Sequence, residues 1–233
     1  MERAQVLRNV QVRERSILRN VYTWMSAGLL LTGVIALGIA SNPSVVARLF
    51  GNPVLFYGAI IGEFALVWFL SARIMTMSTT GATLGFAAYA ALNGLTLSVV
   101  LLAYTGQSVA QAFFITAGTF AAMSLYAVTT KRDLASWGSY LFMGLIGIII
   151  ASVVNIFLRS AMMSYIISYI GVALFMALTA YDTQTIKRWN DSFGSGMNEA
   201  QYMKLSILGA LKLYLDFINL FLFVLRIFGG RRN

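Results

Sequence analysis

The sequence has no cysteine and no histidine among its 233 residues. The absence of cysteine excludes disulfide bridges and thiol chemistry, and the absence of histidine excludes the imidazole ligands of ordinary zinc sites. Histidine is also the side chain that ordinarily changes its charge near neutral pH. Any response of this protein to pH in that range must therefore come from carboxyl groups in an unusual environment.

Charged residues are also scarce, since only 11% of the chain is charged while 59% is hydrophobic. An ordinary soluble domain has about 25% charged and roughly 45–50% apolar residues. A membrane span needs about 20 apolar residues, so a chain of this size holds at most about eight spans with short connections. The composition predicts an all-α integral membrane protein that consists of one membrane domain, with the lipid bilayer as its surroundings.

Proline occurs only twice, and both prolines fall in the first predicted loop, so no predicted span is kinked by proline. The apolar runs predict seven spans, at 21–40, 54–74, 82–104, 109–129, 137–158, 162–184 and 205–228. The first is too long for the 7–15-residue core of a signal peptide, so we expect it to be an uncleaved span. We predict a cytoplasmic N-terminal segment at 1–20, a seven-helix transmembrane domain at 21–229 and a short basic tail at 230–233.

The net charge of +9 comes from basic residues at the ends of apolar runs, where they orient a membrane protein, so we expect no nucleic-acid partner. With the N-terminus in the cytoplasm, the cytoplasmic loops carry Arg73, Lys131, Arg132, Lys187, Arg188 and Lys204. The opposite loops carry only Arg48 and Arg159. Seven spans place Arg231 and Arg232 outside, against the trend, so the alternative is a last segment that re-enters the membrane.

Four charges lie inside the apolar runs: Glu63, Asp182, Lys212 and Asp216. A charge at the bilayer centre costs at least about 2.5–3.5 kcal/mol on insertion scales, so such residues usually face the protein interior, a partner or water. With helix ends near Trp189 and Ser206, the two aspartates would lie roughly 9 Å and 15 Å along their helices. Neighbouring helices could then bring the two carboxyl groups together.

Two carboxyl groups close together in a poorly hydrated place cannot both ionise cheaply, so the pair would share a proton. When ionised, their oxygens suit Ca²⁺, with carbonyls and water completing the shell. The structural alternative is that each aspartate pairs with a base, Asp182 with Arg73 or Arg188 and Asp216 with Lys212. A third possibility is a closed state in which Arg73 holds a carboxylate until protonation releases it.

The run at 209–221, GALKLYLDFINLF, together with YDTQ at 181–184, resembles the Bax inhibitor-1 family, also called the transmembrane Bax inhibitor motif family. The resemblance extends over nearly the whole chain, including the polar N-terminus, the seven-span pattern and the glutamate and arginine of the second span. The brevity of the chain is typical of the prokaryotic branch, which implies the plasma (inner) membrane as its location.

The resemblance implies six helices around a central C-terminal helix and a pH-sensitive Ca²⁺ leak, with Ca²⁺ as the transported or bound ion and no cofactor. It also implies that Asp182 and Asp216 are the pH sensor and gate, that Arg73 is the latch, and that Glu63 and Arg226 lie on or near the ion path. A metal site for Ca²⁺ would then draw on Asp182, Asp216 and Glu63.

Two other functions stay open. One is a non-conducting membrane regulator that binds and restrains another membrane protein, such as a protease. The other is an intramembrane aspartyl protease, since Asp182 and Asp216 lie on successive spans. Those enzymes carry Gly-x-Gly-Asp and Pro-Ala-Leu runs, whereas this chain has Leu213-Tyr214-Leu215-Asp216 and no proline after Pro53. We therefore expect that the protein is not an enzyme.

Overall fold

The computed structural model describes residues 2–193 and 196–230. Eight α-helices make up the described chain: α1 (Glu2–Ala40), α2 (Pro43–Phe50), α3 (Pro53–Arg73), α4 (Thr79–Ala103), α5 (Gly106–Thr129), α6 (Gly138–Leu158), α7 (Ala161–Phe193) and α8 (Glu199–Phe228). A 3₁₀ turn at Ala135–Trp137 precedes α6. The described residues contain no β-strand, so the predicted all-helical fold is confirmed.

Seven helices of the described chain are long and apolar enough to cross a membrane, in agreement with the seven predicted spans. The last of these, Glu199–Phe228, has 67% of its apolar window buried, against 6–39% in the other six. A helix with most of its apolar window buried packs against other helices rather than lipid. The central position that the family resemblance implied for α8 stays a prediction.

The structure differs from the predicted spans chiefly at the start of the first helix, where α1 begins at Glu2 rather than Val21, at the ends of the last two helices and in the first loop. Helix α7 continues past the predicted end at Gln184 to Phe193, and α8 begins at Glu199 rather than Leu205. The first loop contains the short helix α2, which the sequence analysis did not predict. Helix α8 has no break over its 30 residues, which is about 45 Å and exceeds the roughly 30 Å of a bilayer core.

The described chain divides into two compact units, 2–104 with 189–193 and 196–214, and 105–188 with 215–230. In the first unit α1 packs on α4. Thr32 of α1 donates to the carbonyl oxygen of Ala90 at 2.8 Å, and its hydroxyl is 2.7 Å from that of Tyr214. Lys204 donates to the carbonyl oxygens of Met75 and Met77 after α3. A cation is favourable there because the end of a helix exposes unpaired carbonyls.

In the second unit, the α6–α7 connection is held by Asn155. Its amide nitrogen donates to Ser164 Oγ at 2.7 Å, and its Oδ1 accepts from the backbone of Ser160 at 3.1 Å. Arg159, between the two helices, has a φ of 51°, a left-handed conformation that commonly ends a helix. Asn155, which lies inside an apolar run, therefore stabilises a tight turn.

Candidate functional site

Both aspartates of the predicted sensor are buried in the second unit. Asp182 is 6% exposed and Asp216 is 4% exposed. Because α7 ends later and α8 begins earlier than predicted, Asp182 lies roughly 16 Å from the end of α7 and Asp216 roughly 26 Å from the start of α8. They are thus deeper along their helices than the 9 Å and 15 Å expected from the sequence.

Asp182 lies on the inner face of α7. The buried residues of this half of the helix are Phe175, Thr179, Ala180, Asp182, Thr183, Ile186 and Asn190. Most of these positions are three or four residues apart, which places them on one side of a helix. Folding therefore directs the carboxyl group of Asp182 inward, while Ala173 and Asp191 of the same helix stay exposed.

Three hydroxyl groups of the second unit are buried with no hydrogen-bond partner within the described chain: Thr116 and Ser124 on α5, and Thr183 next to Asp182. Leaving a buried polar group unsatisfied costs about 1–3 kcal/mol. Such oxygens can accept hydrogen bonds from water or coordinate a cation. The sequence analysis missed them, although the buried face of α5 repeats Ser108, Ala112, Thr116, Phe120 and Ser124 at intervals of four.

Gln184 and Arg188 of α7 form hydrogen bonds with the α5–α6 loop. The amide of Gln184 donates to the carbonyl oxygen of Arg132 at 2.9 Å and accepts from the backbone of Leu134 at 2.8 Å. Arg188 Nη2 donates to Gln184 at 2.7 Å and to the carboxylate of Asp133. The hydrogen bond from Arg188 lowers the pKa of Asp133, with a further contribution from the backbone of Ala135.

The alternative in which each aspartate is paired with a base stays a prediction, and the described contacts of the candidate bases are as follows. Arg188, one candidate for Asp182, is engaged with Asp133 and Gln184. Lys212 Nζ lies 5.9 Å from the centroid of the Trp189 ring, a cation–π arrangement. The predicted latch, Arg73, is exposed at the last residue of α3 in the first unit. Its action on a carboxylate stays a prediction.

Glu63 is held by α4 within the first unit. Asn93 Nδ2 donates to one carboxylate oxygen and Thr96 Oγ1 donates to the other at 3.0 Å. Asn93 is 5% exposed, so the carboxylate is fixed to a buried part of α4. The sequence analysis did not identify Asn93 or Thr96 as partners of Glu63.

The remaining ion-path residue, Arg226, is exposed in the last turn of α8, with its guanidinium carbon 6.0 Å from the centroid of the Phe223 ring. Among the described residues, no group of three acidic side chains is arranged to hold a metal ion. The assignment of Ca²⁺ to Asp182, Asp216 and Glu63 stays a prediction. Arg231 and Arg232 of the predicted basic tail lie outside the described residues.

The family model for the inhibitor of apoptosis-promoting Bax1 matches residues 14–233. The inner membrane protein YbhL of Escherichia coli K12 is 50% identical over 218 residues, which cover 94% of this chain and 93% of that protein. An uncharacterised protein of Rickettsia prowazekii, RP147, is 45% identical over 94% of this chain and 91% of its own length. An uncharacterised membrane protein of Streptococcus pyogenes is 44% identical over 80% and 79%.

The family model extends over nearly the whole sequence, and the residues that it matches include positions 182 and 216. The matches agree with the resemblance found in the runs at 181–184 and 209–221. Together with the seven helices of membrane-spanning length in the described chain, they establish the identity of the protein at the level of its family. The chain belongs to the Bax inhibitor-1 family of membrane proteins.

Proposed function

We propose that this protein is a pH-sensitive Ca²⁺ leak channel in which protonation of Asp182 and Asp216 controls the passage of the ion. The observation that carries the proposal is the burial of both carboxyl groups in one unit of a membrane protein, at 6% and 4% exposure. An ionised carboxylate is costly in such a place, so its charge state is coupled to the conformation around it.

The buried hydroxyls of Thr116, Ser124 and Thr183 support the same proposal. They belong to the unit that contains the aspartates and have no hydrogen-bond partner within the described chain. Hydroxyl and carboxylate oxygens are the hard ligands that Ca²⁺ prefers, and Ca²⁺ also accepts water in its shell. A path lined by these groups would offer the ion weak and replaceable ligands, as conduction requires.

In this proposal Arg73 acts as the latch that holds a carboxylate in the closed state, and protonation releases it. Glu63 and Arg226 lie along the route of the ion. We place the protein in the inner membrane, because the E. coli relative YbhL is an inner membrane protein. The N-terminus is assigned to the cytoplasm because the loops on that side carry most of the basic residues. The protein acts without a cofactor and is not an enzyme.

The test is Ca²⁺ entry into proteoliposomes loaded with a fluorescent indicator, measured between pH 6 and pH 8. In this proposal the ratio of protonated to ionised carboxyl pairs changes by up to about tenfold per pH unit. Since protonation opens the path, we expect Ca²⁺ entry to rise as the pH falls. Asp182→Asn and Asp216→Asn remove the titrating groups, so each variant should show entry that no longer depends on pH.

Glu199→Gln is the matched control, because it removes an exposed acid from the first turn of the helix that carries Asp216. It should keep the pH dependence of the unmodified protein. Unchanged pH dependence in Asp216→Asn would refute the gating proposal. Folded protein that gives no Ca²⁺ entry at any pH would refute the channel itself and favour the non-conducting regulator, which would then be sought by co-purification of a bound membrane protein.

A further inference from the structure

The second unit contains a pocket of about 270 Å³ between the end of α5, the 3₁₀ turn and α7. The lining is apolar and consists of Met123, Tyr126, Leu134, Trp137, Ala173, Met176, Ala177 and Ala180. The pocket is smaller than the roughly 300–1,000 Å³ of a typical small-molecule site. It therefore suits one slender apolar chain better than a bulky ring compound.

The floor and the rim of the pocket have different characters. Leu134 and Ala180, 2% and 3% exposed, belong to a buried cluster with Ala127. Tyr126 and Trp137 are 41% and 48% exposed. Tyrosine and tryptophan are enriched where the apolar bilayer core meets the headgroups. The pocket thus combines a buried apolar part with exposed aromatic side chains of the kind found at a membrane interface.

The loop that leads into Leu134 of the pocket is basic. Lys131 and Arg132 are exposed and lie two or three residues before Leu134 of the pocket. Their α-carbons are therefore within about 11 Å of that of Leu134. Asp133, the acid of the same loop, forms an ion pair with Arg188, which offsets its charge. Basic groups beside a gap between transmembrane helices are a recurring site for anionic headgroups.

We infer that this pocket and loop form a binding site for an anionic phospholipid, with one acyl chain in the pocket and the phosphate headgroup at Lys131 and Arg132. The lipid site and Asp182 lie on the same helix, α7. Ala173, Ala177 and Ala180 face the pocket, whereas Asp182 follows Ala180 by two residues, which corresponds to about 200° around a helix. A lipid bound here packs against the side of α7 that is opposite Asp182.

The test uses the fluorescence of Trp137 in phosphatidylcholine vesicles that contain phosphatidylglycerol brominated in its acyl chains. Bromine quenches a nearby indole, and subtracting the signal of Trp137→Phe isolates this tryptophan from the other three. Two exposed basic residues are worth up to about thirtyfold in lipid affinity before salt screening. We expect brominated phosphatidylglycerol to quench Trp137 at a mole fraction at least about threefold lower than brominated phosphatidylcholine.

Two variants separate the headgroup from the acyl chain. Lys131→Gln combined with Arg132→Gln alters only the exposed loop and should abolish the preference for phosphatidylglycerol. Ala177→Phe fills the pocket and should reduce quenching by both brominated lipids. Ala121→Phe is its control, since Ala121 is exposed on α5 about 190° from the side that carries Met123 and Tyr126.

Equal quenching by the two lipids in the unmodified protein would overturn the inference. A preference that survives removal of both basic residues, or quenching that Ala177→Phe leaves unchanged, would overturn it as well. None of these measurements depends on Ca²⁺ entry, so the lipid site and the proposed channel succeed or fail separately.

Discussion

The substitution Gly94→Ala tests the packing of α1 against α4 in the first unit. A Cβ atom at Gly94 would lie 2.7 Å from the carbonyl oxygen of Thr32 and 3.0 Å from the Cβ of Ile35. Side chains do not approach that closely in folded proteins, and a backbone carbonyl cannot turn aside as a flexible side chain can. The two helices must therefore separate locally to admit one methyl group.

The expected change in the free energy of unfolding is the sum of two opposing contributions. Inserting a methyl group into a well-packed interface costs about 1–3 kcal/mol. Alanine is favoured over glycine within a helix by roughly 0.5–1 kcal/mol. Gly33→Ala supplies the matched control, because Gly33 lies on α1 and a Cβ there would meet no atom within 4 Å. Both variants gain the helix propensity, so their difference isolates the clash at about 1–3 kcal/mol.

The assay is thermal unfolding of the purified protein in detergent, followed by circular dichroism. For a chain of this size, 1 kcal/mol corresponds to about 2–4 °C in Tm. We expect Gly94→Ala to unfold at least about 2 °C below Gly33→Ala. Equal Tm values for the two variants, or a higher value for Gly94→Ala, would refute the close approach of the α4 backbone to Thr32.

Two further predictions concern the polar contacts of each unit. Thr96→Val removes one of the two hydrogen bonds to the Glu63 carboxylate while keeping the shape of the side chain. It should therefore lower the free energy of unfolding by about 1–3 kcal/mol. The measurement is the Tm in detergent, with Thr96→Ser as the control that keeps the hydroxyl group. Since the hydrogen bond from Arg188 lowers the pKa of Asp133 below its ordinary value of 3.8, the pair contributes stability above about pH 4 and loses it as the pH falls through the lowered pKa. The Tm advantage of the unmodified protein over Asp133→Asn should therefore shrink below about pH 4, and an advantage that stays constant down to pH 3 would contradict this assignment.

The positions of the helices were largely predictable, because a span must be about 20 residues long and apolar wherever it faces lipid. The ends of α7 and α8 were not. Residues beyond Gln184 and before Leu205 are polar enough to end an apolar run, yet the helix continues while its backbone hydrogen bonds can still be made. The hydrogen-bond partners of Glu63 could not be predicted from the sequence either, since they lie on α4, 30 and 33 residues away.

Composition and local runs of residues were enough to predict the membrane class, the seven spans, the family and the two aspartates. Each of these follows from composition or from a local run of residues. Helix packing had to be known before four other features could be described. These are the burial of the two aspartates, the buried hydroxyls of α5 and α7, the ion pair of Arg188 with Asp133 and the apolar pocket next to Lys131. A charge inside an apolar run can be recognised from the neighbouring residues alone. The groups that compensate for its burial lie on other helices and come close to it only when the helices pack.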